Sequence, residues 1–366
     1  MSETHEDNVL TTYRSLRVAM IPLLLILVVA PALETMRGQV CVLGSISAYF
    51  HTPVRGAFVF ALAGLGACLI VYKGNDPVED VLLNFAGFMA FLVALVPTTV
   101  DTTCVAKYGN VVADTNTADA VRNNVLTLIL VSVVAICLYR LMPKLVAAAK
   151  KRSGFPLVTP VPLTLSEDDK NALKLAPILG SLALVIVIVE LALFGFWPST
   201  FKDHAHGISA ITMVVGVLGV MVANARGFAR ATRGMDNPPA KHWNNRYAAA
   251  AGATLALIGL AILLMYSSQH LILVIELIVI MGFVVFWFMQ TRELWDYPTR
   301  EQKSQKVDQV MEEAGGEQEP EPEVAEESAP TPQPHVVPEE PTSTSQPEVP
   351  ARTETPMSRG EVYNAM

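Results

Sequence analysis

Residues 176–196 read APILGSLALVIVIVELALFGF. One ionisable residue, Glu190, interrupts the run. A strand would stop after about six residues, and the helix of a soluble domain would show a polar face every 3.6 residues. This run does neither. At 1.5 Å per residue, about 20 such residues match the ~30 Å hydrocarbon thickness of a bilayer. It reads as a transmembrane helix.

Runs of the same kind recur from Arg17 to Gln290. The chain predicts eight spans, at approximately 17–33, 54–73, 80–100, 123–142, 174–196, 206–225, 246–267 and 270–291. Of the 366 residues, 52% are hydrophobic and only 16% are charged. A soluble domain carries about 25% charged residues. The expected fold class is therefore all-α: a polytopic transmembrane helix bundle of about eight spans with a disordered C-terminal tail. Three regions follow: a short cytoplasmic segment 1–16, the bundle 17–292, and a tail 293–366.

Charge is distributed unevenly. Residues 301–366 hold 15 acidic and 4 basic side chains, so the net charge of −8 belongs to the tail. With a cytoplasmic N-terminus, the inner segments hold 19 basic residues and the outer segments 5. This asymmetry predicts a multi-pass plasma-membrane protein with both termini in the cytoplasm. The first run carries Ala30-x-Ala32, which imitates a signal-peptidase site. The acidic leading segment, with Glu3, Glu6 and Asp7, argues instead for an uncleaved helix.

The tail contains EQEPEPEVAEESAPTPQPHVVPEEPTSTSQPEVP. Such a composition buries too little apolar surface to offset chain entropy. It predicts an extended segment with room for a protein partner. No Gly-rich phosphate loop is present, and no GxGxxG follows a strand. No nucleic-acid partner is expected; membrane lipids are.

Topology sorts the reactive residues. Cys68 and Cys137 fall inside spans. Cys41 and Cys104 fall in outer loops, where an oxidising face allows a bridge between them. Four histidines, His51, His204, His206 and His270, map to the outer ends of spans, with Asp101, Asp203, Ser45 and Ser47 at the same level. Imidazoles and a carboxylate on one rim are a candidate zinc site. Against it, His204 and His206 are two residues apart, and on a helix such residues diverge. No cofactor is otherwise expected. Glu190 and Glu276 lie within spans, where a carboxylate costs at least ~2.5 kcal/mol and faces the bundle interior or a water-filled cavity. They are candidates for a proton relay.

SISAYFHTPVR, residues 45–55, places Ser47 and His51 just before the second span. Thr52-Pro53 reads as a helix start, with Thr as N-cap and Pro at the first helical position. Ser47 and His51 then lie in a short interfacial collar over the bundle mouth. Glu79 and Asp80 follow a Gly74-Asn75-Asp76-Pro77 turn, where a helix dipole accounts for them.

Several stretches resemble uncharacterised multispanning membrane proteins of actinobacteria: SISAYFHTPVR, FAGFMAFLVALVPTT, HGISA, NNRY and VVFWFMQTRELW. That resemblance implies a location and no mechanism. Ser47-Ala-Tyr-Phe-His51 is also similar, in part, to the Ser-x3-His of the alkaline ceramidase and progestin/adiponectin receptor superfamily. The late His-x3-His of that superfamily is missing here, so no catalytic residue carries over. The expected function is a non-enzymatic membrane module that binds lipid or a partner through an outer polar mouth. The alternatives are an outward-facing metal-dependent lipid hydrolase and a small proton-coupled transporter.

Overall fold

A computed structural model describes residues 3–38, 41–98, 117–152, 167–231 and 245–316, which contain no strand. Nine α-helices are found among them: α1 Glu3–Met36, α2 Arg55–Val71, α3 Pro77–Leu95, α4 Thr117–Arg152, α5 Glu167–Phe196, α6 Pro198–Ala231, α7 Arg246–Met265, α8 Leu271–Glu293 and α9 Arg300–Gly316. A 3-10 helix, Ser47–His51, precedes α2. Seven helices, α1 and α3–α8, are long and apolar enough to cross a membrane, and α2 is a shorter apolar helix of 17 residues. The chain is a polytopic helical membrane protein.

The helices sort by what they bury. α4 and α5 bury 6% of their most apolar windows and α3 buries 50%. In a bilayer, exposed Leu, Ile and Val face lipid. α3 is the central helix, flanked by α2 and α6. Small residues allow that approach. A Cβ added to Gly87 would sit 2.6 Å from the Gly66 carbonyl of α2, and one on Gly66 would sit 2.7 Å from the Gly87 carbonyl. On α6, a Cβ added to Gly216 or Gly219 would sit 3.1 Å from the side chain of Ala86 or Leu82 of α3.

The two ends of the bundle differ. One carries the 3-10 helix and is called the collar end. The other gathers Arg17, Tyr72, Glu79, Asn224, Glu293 and Arg300 and is called the network end. Exposed Phe196, Trp197 and Tyr266 mark the first, as amphipathic rings do at a membrane interface.

Several boundaries correct the sequence reading. The segment 1–16 is not separate, because α1 is helical from Glu3 and holds both Pro22 and Pro31. The expected outer loop before span six is helix: only Trp197 separates α5 from α6. Span two begins at Arg55 rather than Pro53, and Val54 caps it without a side-chain bond. Thr52 turns back instead, its Oγ1 donating to the Tyr49 carbonyl at 2.7 Å. The tail does not start at 293. Arg300–Gly316 is helical, and Arg300, Lys303 and Val307 are buried against the network end. Residues 317–366 lie outside the described residues.

Candidate functional site: a carboxylate-capped cavity

The collar is built on α8. The Leu273 amide, one of the free donors of the α8 first turn, reaches the Gly44 carbonyl at 2.9 Å. A Cβ on Gly44 would sit 2.8 Å from the Gln269 carbonyl, so only glycine allows this approach. One turn further along, Glu276 accepts from the Ile46 amide at 2.5 Å and from Ser47 Oγ at 3.2 Å. The carboxylate thereby satisfies the first donors of the 3-10 helix from another element. Tyr49 closes the collar onto α1, its hydroxyl 2.6 Å from Thr35 Oγ1.

Ser47 and His51 therefore face different partners. His51 Nε2 meets the Thr98 carbonyl at 2.8 Å, and His206 Nδ1 meets the Val96 carbonyl at 2.5 Å. A carbonyl only accepts, so these two ring nitrogens carry the protons. Both imidazoles serve the free carbonyls where α3 ends. His206 is buried and its Nε2 has no hydrogen-bond partner among the described residues, whereas His204 is exposed. They sit two apart on α6 and diverge as a helix requires. His270 caps the start of α8, its Nε2 3.3 Å from Gln269 Nε2. Among the described residues, no three His, Cys, Asp or Glu side chains come together to hold a metal ion. Asp101 and Cys104 lie outside the described residues. Cys41 is disulfide-bonded, and Cys68 and Cys137 are free.

Below the collar lies a cavity of about 260 Å³. α1, α2, α3, α6 and α8 wall it with Leu, Ile, Val, Met and Phe, and its polar groups are Ser47 and Glu276. Ile211, Val215 and Ile272 line it and yet are 67%, 61% and 61% exposed. Residues that face both the cavity and the outside mark an opening, which lies sideways between α6 and α8. Nearer the network end the gap closes, where Val217, Val220 and Met221 meet Phe283 and Phe286.

Glu190 sits elsewhere. It is 2% exposed, and both its oxygens lie 3.0–3.1 Å from Ser209 Oγ across the α5–α6 hairpin. It does not line the cavity. The two intramembrane carboxylates thus have separate partners, a hydroxyl for one and the collar for the other.

At the network end lies a buried ionic cluster that the sequence reading missed. Arg17 is 0% exposed. Its guanidinium donates to the carbonyls of Leu294, Tyr297 and Pro298 at 2.5, 3.1 and 2.5 Å, and to the Tyr72 hydroxyl at 3.3 Å. A cation on the free carbonyls at a helix C-terminus is favourable, and here α1 supplies it to α8. Glu79 accepts from Asn224 at 2.7 Å, Gln290 at 3.3 Å and the Asn75 amide at 2.8 Å. Glu293 accepts from Arg300 Nε at 3.0 Å, Arg246 at 3.4 Å and the Tyr247 hydroxyl. Burial pushes the Tyr72 phenol up to about 12, with Arg17 opposing and Glu79 adding to the shift. Burial also pushes the Lys303 ammonium below its ordinary range, against the pull of Glu293. Helix-dipole placement accounts for Asp80, which holds the Gly74 amide at 2.6 Å. It does not account for Glu79, which is 1% exposed.

No family model matches the chain. Neither a curated protein nor a solved structure matches it. The fold and its apolar helices define the class, a multi-pass helical membrane protein.

Proposed function

We propose that this protein is a non-enzymatic membrane module that takes the hydrocarbon chain of a membrane lipid into the cavity between α6 and α8. One observation carries the reading: an apolar cavity that opens sideways and ends at Glu276 and Ser47. Small-molecule sites span about 300–1,000 Å³. At about 260 Å³ this one suits a single chain rather than a whole lipid. Each carboxylate oxygen has two lone pairs. Glu276 therefore retains acceptor capacity for a hydroxyl or amine beside its collar bonds.

In this reading the collar end faces outward and the network end faces the cytoplasm of a plasma-membrane protein, as the basic asymmetry implies. The acidic, proline-rich tail then offers a cytoplasmic protein partner a segment to bind. Cysteine placed at 204 should be labelled by an impermeant reagent from outside the cell.

The direct test is lipid extraction from purified protein, beside a Met213→Trp variant that fills the cavity. Wild type should carry a lipid that the variant lacks at unchanged thermal stability. Equal lipid in both would sink the proposal. Glu276 also supports a second reading, proton-coupled transport, since it is the ionisable group that lines the cavity. Loss of substrate accumulation in Glu276→Gln, with lipid content intact, would favour that reading.

A further inference from the structure

A second cavity, of about 490 Å³, lies at the collar end between α4 and the α5–α6 hairpin. It is separate from the lipid-chain cavity, and neither Glu276 nor the histidines line it. Its floor is apolar. Val121 and Phe201 are buried there, and the Phe194 ring meets Phe201 edge-on at 5.2 Å. Its polar wall is Asp119 and Arg122 from α4 and Lys202 from α6.

The three charged side chains are exposed, and none makes an ion pair with a described residue. Arg122 and Lys202 sit five and four residues into their helices. That is roughly 6–8 Å along each axis from the helix start, so both cations stay within the first two turns. Lone cations so near a helix end commonly extend to water. These two instead wall one cavity from different helices, over an aromatic floor. Beyond it, Leu126 and Leu130 of α4 are exposed to the lipid side.

We propose that this cavity binds the headgroup of a membrane phospholipid. The phosphodiester lies between Arg122 and Lys202, and the amine of a zwitterionic headgroup lies on Asp119. Arg gives a planar fork and Lys a point charge, both suited to phosphate oxygens. Two cations with one carboxylate match a phosphate with an ammonium better than a phosphate alone. The acyl chains follow α4 and α5 into the bilayer.

Native mass spectrometry of the full chain carrying Met213→Trp, which fills the first cavity, titrated with phosphatidylethanolamine, phosphatidylglycerol or diacylglycerol, tests this. On that background the protein should retain phosphatidylethanolamine best. Arg122→Gln/Lys202→Gln should lower its retention at least fivefold, and Asp119→Asn should lower it while sparing phosphatidylglycerol. A second variant approaches the same site by shape: Gly195 lines the cavity and a Cβ there meets nothing within 4 Å, so Gly195→Leu adds bulk at the cavity wall without a clash. It should also displace the lipid. Diacylglycerol retained as well as the phospholipid would overturn the proposal. So would undiminished retention in the double variant. If inorganic phosphate alone raised Tm as much as the lipid does, the site would belong to a soluble anion and the lipid assignment would fall.

Discussion

Glu293 is the residue on which the network end turns. Its side chain is fully buried and meets Arg300, Arg246 and Tyr247. Breaking a buried ion pair by removing one partner costs about 3–5 kcal/mol. Glu293→Gln should therefore lower Tm in detergent far more than Glu301→Gln on the exposed face of α9, and a melt by intrinsic fluorescence reads the difference. Lys303 gives a pH signature. Its folded pKa lies below the unfolded value, so between the two the unfolded chain binds more protons and stability rises with pH. The gain is complete above the unfolded value near 10.5 and is lost as pH falls through the folded value. Tm measured up to pH 10 should climb more steeply in wild type than in Lys303→Met; parallel slopes would refute this assignment. Tyr72 works in the opposite sense. Its folded pKa is raised, so its contribution is present below pH 10 and lost as pH climbs toward 12.

Between elements, backbone proximity decides stability. α2 and α3 cross with Gly66 and Gly87 each against the carbonyl of the other. Gly87→Leu would drive a side chain into Gly66 and Ile70, and overpacking of this kind costs about 1–3 kcal/mol. Gly252 of α7 meets nothing within 4 Å, so Gly252→Ala should be neutral or slightly stabilising. The two melts, run side by side, separate a packing glycine from an incidental one. In the sequence both are simply glycine within an apolar run. The collar teaches the same lesson: Ser47 and His51 are four residues apart, yet one serves α8 and the other the end of α3.

For the molecule as a whole, α9 is a keystone. It follows the last span, and its Val307 joins the core formed by Met20, Tyr72, Met221 and Trp287. Arg300 bridges toward Asn75, Asn224 and Glu293, so α9 ties the ends of α3, α6 and α8 together. A chain ending at 316 keeps α9 and serves as the reference. One ending at 299 should lose several degrees, because the buried face of the network end is then open to water. Identical melts for the two truncations would show that α9 is an ornament of the fold.

Hydropathy by itself determined the class, a bundle of membrane-spanning helices. Leaving water is a property of a run's composition and length, and it needs no neighbour. Glu190 and Glu276 were legible for the same reason, since a carboxylate inside an apolar run stands out. Partners were not legible. Arg17 stood at the edge of the first apolar run and Glu79 at a helix start, two places where charge is ordinary. Only the tertiary structure joined them into one network through Tyr72 and Gln290, and only it separated the two carboxylates from one another. Which polar groups meet depends on helix rotation and crossing, and glycine contacts and carbonyls far apart in the chain set both.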